Sequence, residues 1–218
     1  MNRTSFVIVS LAWTISIICV ASLFAGEIKL VLLPNPQTDG GRPLMQVLKD
    51  RSSSRSYSPE KLSAQILSNL LWAAFGINRP DTEKRTAPSA SNWQEIDIYV
   101  ATADGLYLYE ETSNSLKLIT SDDIRALTGR QDFVKEAPVN LVYVADFSRI
   151  GSTPKENREI YSAADTGFIS QNVYLYCASQ GLATVVRGSI DRQALAKAMK
   201  LRPDQKIILA QSVGYPKK

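Results

Sequence analysis

The chain has 218 residues, 44% of them hydrophobic and 21% charged, which is enough for one globular domain or a domain with a small attachment. Its 25 basic and 21 acidic residues leave a net charge of +4, too small and too scattered for a nucleic-acid face. It contains no histidine, which excludes His-based triads, His-ligated metals and imidazole acid–base chemistry.

The chain opens with Arg3 as its only charge before Phe6–Ala25, FVIVSLAWTISIICVASLFA, which carries none. A short basic start and an uncharged apolar run form the pattern of a secretory signal. Ala25 suits the last leader residue, Leu23 is bulky for the position three from the cut, and the run is long enough to span a bilayer uncleaved. Residues 1–25 therefore read as a signal peptide or, alternatively, as a signal anchor attaching the chain to the membrane through residues 6–25. Cys19 lacks a small residue before it, which argues against a lipoprotein. Either way the domain is expected to be exported, periplasmic or secreted, and membrane-anchored if the leader is retained. Cys177 is then the only remaining cysteine, so no intrachain disulfide can form. It lies in the apolar stretch Val173–Ala178 and reads as a buried, inert thiol.

Residues 26–40 combine a strand-like apolar run with a Pro-, Asn- and Gly-rich exit, as in a lead-in arm. The domain proper is expected over 41–218. Pro43–Asp50 has the spacing of a short helix. Ser58 as N-cap and Pro59 at the first helical position open the clearest helix, with Leu62, Ile66, Leu67, Leu70, Leu71, Ala74 and Phe75 at helical intervals and Gly76 at its stop. Residues 78–95 are irregular and polar. Strands are expected at Ile96–Ala101, Leu106–Tyr109 and Leu116–Ile119, followed by a short helix capped by Asp122 and ending near Gly129. Val139–Ala145 is a continuous apolar run, expected as a buried central strand. Ser162–Gln180 reads as a long helix closed by Gly181, Ala183–Arg187 as a strand, Arg192–Leu201 as a helix capped by Ser189, and Lys206–Val213 as a final buried strand. This order predicts an α+β fold with a mixed sheet flanked by helices.

Four stretches carry candidate chemistry. In Arg51-Ser52-Ser53-Ser54-Arg55, guanidinium groups and hydroxyls can hold phosphate oxygens, although Ser/Arg runs before helices are usually solvated turns. Arg85–Trp93, RTAPSASNW, is a small polar loop of the kind that carries function, or an ordinary surface loop. Asp165–Asn172, DTGFISQN, places Gly167 inside a helical pattern, which suggests a close approach to another element or a ligand. Gln171 and Asn172 stand beside Phe168 and Val173, both expected to be buried, and could contact a ligand or simply satisfy each other. Val213–Lys218 closes the chain as a possible exit turn.

Taken in order, these stretches resemble the nitroreductase family, particularly its azoline-dehydrogenase-like branch. The carrying residues are Arg51–Tyr57, then Trp72–Gly76, Arg85–Asn92, Asp165–Leu175, Gly181-Leu182 and Gly214-Tyr215-Pro216. The resemblance covers about residues 41–217. It implies an α+β homodimer with two FMN molecules in the subunit interface and a small-molecule substrate. By similarity, Arg51, Ser52, Ser53 and Arg55 hold the FMN phosphate and ribityl tail. Pro88, Ser89, Ala90, Ser91 and Asn92 border the isoalloxazine ring from the other subunit, and Gln171, Arg187 and Gly188 lie near the cofactor. The resemblance makes flavin N5 the reacting atom and assigns no catalytic side chain and no metal, which suits a chain without histidine.

The departures are specific. Family members continue past G-Y-P to a basic phosphate clamp, for which only Lys217 or Lys218 is available here. The Lys–Tyr pair of azoline dehydrogenases has no counterpart that can be placed, so azole formation is not carried over. Reduced nicotinamides are not expected to be plentiful outside the cytoplasm. A dehydrogenase with another electron acceptor fits export better, as does a fold kept for ligand or partner binding after catalysis has decayed.

Overall fold

The computed structural model describes residues 29–217, so the expected leader and Lys218 lie outside the described residues. The centre of the fold is a seven-stranded sheet. Its strands are β1 (Leu30–Leu32), β4 (Ile96–Thr102), β5 (Gly105–Glu110), β6 (Ser115–Thr120), β7 (Val139–Asp146), β8 (Ala183–Arg187) and β9 (Gln205–Gly214), in the spatial order β1-β6-β5-β4-β7-β9-β8. The α+β class is as expected, and every pairing in this sheet is antiparallel rather than mixed in direction. β2 (Ile77–Arg79) and β3 (Lys84–Arg85) form a separate small hairpin within the irregular segment.

The apolar run at β7 becomes the middle of the sheet because both of its faces are covered, and all eight of its residues are buried. One face carries α2 (Ala64–Phe75) and α3 (Lys155–Gln180), whose Leu70, Leu71, Ile169 and Val173 meet Leu141, Tyr143 and Val213. The other carries α4 (Arg192–Ala198), with Ile190, Leu195 and Met199 against Val142, Val144 and Ile207. Leu70 and Leu71 are fully buried, each contributing about 1.5–3 kcal/mol of transfer free energy. α1 (Leu44–Asp50) lies against α3 and is tied there by Arg42, whose N–H donates to Ser179 Oγ at 3.0 Å. No helix among the described residues is long and apolar enough to cross a membrane.

Helix starts depart from expectation. Ser58 does not cap α2, because its N–H donates to the Tyr215 carbonyl at 2.9 Å in an extended pairing. Ser63 caps instead, its Oγ accepting from Ile66 N at 3.2 Å. Asp191, not Ser189, caps α4, accepting from Ala194 N at 3.0 Å, and that helix ends at Ala198. The segment after Asp122 is a single 3-10 turn, Arg125–Thr128, without a side-chain cap. α3 begins seven residues earlier than Ser162, since Lys155–Tyr161 extends it as a polar, exposed first stretch.

Candidate functional site

Arg51–Tyr57 leaves α1 in extended form and runs beside the chain's last strand. Ser54 N donates to Thr184 O at 2.9 Å, Tyr57 pairs with Pro216, and Lys217 N reaches Ser56 O at 3.5 Å. Tyr57 is the buried anchor at 1% exposure, and its hydroxyl donates to Ser54 O at 2.7 Å. Burial pushes that phenol well above its ordinary range, so it stays a neutral donor. Gly214 belongs to the same packing. A Cβ there would stand 2.5 Å from Pro138 Cδ and 3.2 Å from the Tyr57 ring, so the strand can pass only as glycine.

With its backbone pinned, this segment turns its polar side chains outward. Ser52, Ser53 and Arg55 are exposed and Arg51 half-buried. Among the described residues neither arginine has a carboxylate within ion-pair distance. Tyr174 on α3 organises them. The Arg51 guanidinium lies 5.3 Å from its ring centroid, and Ser53 Oγ is 2.9 Å from its hydroxyl. That hydroxyl also accepts from Val186 N at 3.0 Å, so Tyr174 ties Ser53 to β8. Lys217 is exposed, its N–H reaching Ser56 O, and it lines the neighbouring cavity with Tyr57. Two guanidiniums without a carboxylate and two serine hydroxyls are the donor set of an anion cradle, and they fit a phosphate monoester.

The loop Pro88–Asn92 is built on other principles. Pro88, Ser91 and Asn92 are exposed, while Ser89 and Ala90 are half-buried. Ser91, Asn92 and Gln94 all adopt left-handed backbone angles, φ 50°, 55° and 49°. Such angles cost non-glycine residues about 1–2 kcal/mol each, so the surroundings must impose them. Ser89 Oγ accepts from Gln94 N at 3.0 Å, Gln94 Oε1 accepts from Arg85 Nε at 2.8 Å, and Arg85 is ion-paired with Glu111. Ala90 N donates to Asp165 Oδ2 on α3 at 2.8 Å.

Asp165 and Tyr174 are nine residues apart on α3, about 13 Å along the axis and half a revolution around it. The loop and the cradle therefore sit on different sides of the helix, and one protomer does not bring them together. Cavities of about 630 and 620 Å³ open on the protomer, and neither is lined by Arg51, Ser53, Arg55 or the loop. The larger meets the cradle only at Tyr57 and Lys217 and is otherwise mostly apolar.

The remaining expected residues separate. Gln171 is exposed on α3, and Gly188 is exposed just past β8. Arg187 is only 5% exposed. Its guanidinium donates to Thr128 O at 2.6 Å, Asn140 Oδ1 at 2.7 Å and Ser212 Oγ at 3.0 Å. Burial without a carboxylate pulls it down to about 10, and its contacts are those of a core residue tying β7, β8 and β9 to the Thr128 turn. Gly167 makes no close approach within the protomer, since a Cβ there would meet nothing within 4 Å. Phe168, expected to be buried, is 49% exposed. Cys177 is buried as expected, and desolvation pushes its thiol far up. Tyr174 and Glu95 were not singled out by sequence. Both look like core members of apolar stretches, and only geometry reveals the hydroxyl relay and the buried carboxyl.

The model of the nitroreductase family matches residues 48–215. A Methanocaldococcus jannaschii protein named as a nitroreductase is 30% identical over 169 residues, spanning 73% of this chain and 85% of its own. A Ralstonia eutropha structure named as a nitroreductase superposes with a TM-score of 0.83 at 44% identity, covering 87% of this chain and 90% of that one. A Desulfovibrio desulfuricans structure, also so named and solved in complex with FMN, gives 0.60 at 25% identity over 82% and 89%.

Proposed function

The chain belongs to the nitroreductase family, and from that premise we propose that it is an exported FMN-dependent oxidoreductase working as a homodimer. The observation that carries the reading is the cradle. Among the described residues Arg51 and Arg55 pair with no carboxylate, and Ser53 is set by Tyr174. These residues would hold the phosphate and ribityl tail. The Desulfovibrio desulfuricans relative, whose structure contains FMN, supports the choice of flavin. Bound FMN would supply hydride acceptance and return at N5, and the chain's residues would bind, orient and shield it.

The dimer is part of the proposal because the two halves of the site face different sides of α3. Ile160, Ala164, Gly167, Phe168 and Gln171 share an exposed stripe of that helix, and Leu44, Met45 and Leu48 of the neighbouring α1 are also exposed. A second copy on this face would bring its Pro88–Asn92 loop toward the first copy's cradle. Export rests on Arg3 and the run Phe6–Ala25, and it favours a substrate-oxidising dehydrogenase with a non-nicotinamide acceptor. The motif order supports the azoline-dehydrogenase-like branch, and azole formation is not carried over with it.

The test is the visible spectrum of the purified full chain, with any extracted cofactor identified by mass. Flavin bands and FMN are expected, whereas a colourless protein that FMN cannot reconstitute refutes the proposal. Bound flavin that no donor reduces would move the chain to the alternative reading, a decayed fold that keeps its ligand.

A further inference from the structure

A dense group of unsatisfied polar atoms lies near the Pro88–Asn92 loop. Neither carboxyl oxygen of Glu95 accepts from any N–H or hydroxyl, and Ser162 Oγ and Thr166 Oγ1 are likewise buried without a partner. All three residues have 0% exposure, and Asp165 beside them has 2%. Ser162, Asp165 and Thr166 share one face of α3, while Glu95 stands just ahead of β4. An ionised carboxylate left unpaired there would cost several kcal/mol, and two adjacent ones cannot both ionise. Among the described residues no cation lies within ion-pair distance of either carboxyl. Arg149 reaches only the Glu95 carbonyl, at 2.9 Å, and its charge is taken by Asp97. Asp165 is the neighbouring acid of Glu95, and its Oδ2 accepts from the Ala90 N–H at 2.8 Å.

We propose that Glu95 and Asp165 form one positioning unit for the loop, in which Glu95 is the carboxylic acid and donates to Asp165, and Asp165 in turn fixes the Ala90 N–H. Among the described residues, the Ala90–Asp165 bond is the only hydrogen bond from Pro88–Asn92 to α3. A backbone held left-handed at Ser91, Asn92 and Gln94 relaxes without such an anchor. Desolvation, then the neighbouring charge of Asp165, pushes the Glu95 carboxyl above its usual range, and desolvation pushes Asp165 up as well. Raising the pH removes the shared proton, places two like charges in a closed site and frees Ala90. The unit is a property of the protein without cofactor. Only what the loop faces rests on the FMN reading.

Hydrogen exchange of the segment Thr86–Trp93 in flavin-free full-length protein tests this, read as protection factors at mildly acidic and at alkaline pH. The parent should lose about tenfold in protection on going alkaline. Glu95→Gln keeps a donor toward Asp165 and has no proton to lose, so its protection should stay constant. Asp165→Ala should be unprotected at both pH values while α2 stays protected. A Glu95→Gln loop that opens with pH like the parent overturns the proposal, as does an Asp165→Ala loop that stays closed. If Asp165→Ala unfolds, which loss of protection across α2 would report, the Glu95→Gln comparison decides. A parallel FMN titration of the parent separates the two readings. Failure there removes the flavin site and leaves the exchange result standing.

Discussion

The cradle and the Pro88–Asn92 loop solve opposite problems. Arg51–Tyr57 has an ordinary extended backbone pinned by Thr184, Tyr215 and Pro216, so its charged side chains stay free for a ligand. Pro88–Asn92 has few chemical groups to offer, and its backbone is held in a costly shape by Asp165 and by the Arg85–Gln94 contact next to it. One region stores unpaired charge and the other stores conformation. Substitutions should therefore separate them: changes at the cradle alter affinity for a charged ligand, and changes at the loop alter order and its dependence on pH.

The largest effect is expected from Arg51→Ala combined with Arg55→Ala. Losing two charge-assisted contacts should weaken FMN binding about 100-fold and leave riboflavin, which has no phosphate, nearly unaffected in a fluorescence titration. An equal loss for both ligands would mean that the arginines support the fold rather than the phosphate.

Tyr174→Phe comes next, because it releases Ser53 and strips Val186 N of its acceptor. It should cost about 1 kcal/mol of stability and weaken FMN up to about tenfold, read by denaturant unfolding and titration. Unchanged FMN affinity would remove Ser53 from the cradle.

Glu95→Gln follows. A carboxyl whose folded value is raised binds more protons folded than unfolded, so stability falls as pH rises from the unfolded value through the raised one. The variant lacks that fall, and its thermal midpoint should gain on the parent's with rising pH. Parallel curves would contradict a shared proton.

The smallest effect is Ser91→Gly, which relieves left-handed strain at φ 50°. It should stabilise by about 1 kcal/mol or less, since glycine's added chain entropy offsets part of the relief. The corresponding change at Ser52 in the cradle should not stabilise.

The sheet was legible where burial alone decides. VNLVYVA is a continuous apolar run and KIILAQSV is apolar over Ile207–Ala210, and β7 and β9 follow them. The α2 stripe was legible for the same reason. Helix starts were not, because Ser58, Ser63, Ser189 and Asp191 are all competent caps, and tertiary pairing chose among them. The first stretch of α3 has no apolar spacing to announce it. Phe168 looked like core because its neighbours are, yet its place on the helix turns it outward. The burial of Arg187 was not legible, because sequence does not show that Thr128, Asn140 and Ser212 converge on it. The cradle motif itself was visible as Arg51–Arg55, but its organiser, Tyr174, is distant in sequence and resembled packing.

The central claim is that the Arg51–Arg55 segment is a phosphate cradle for FMN. Calorimetric titration of the flavin-free parent with FMN and with riboflavin tests it most directly. The account predicts FMN binding about 100-fold tighter than riboflavin, with the gap narrowing as salt is raised. Equal affinities for the two flavins, or no binding of either, would contradict it.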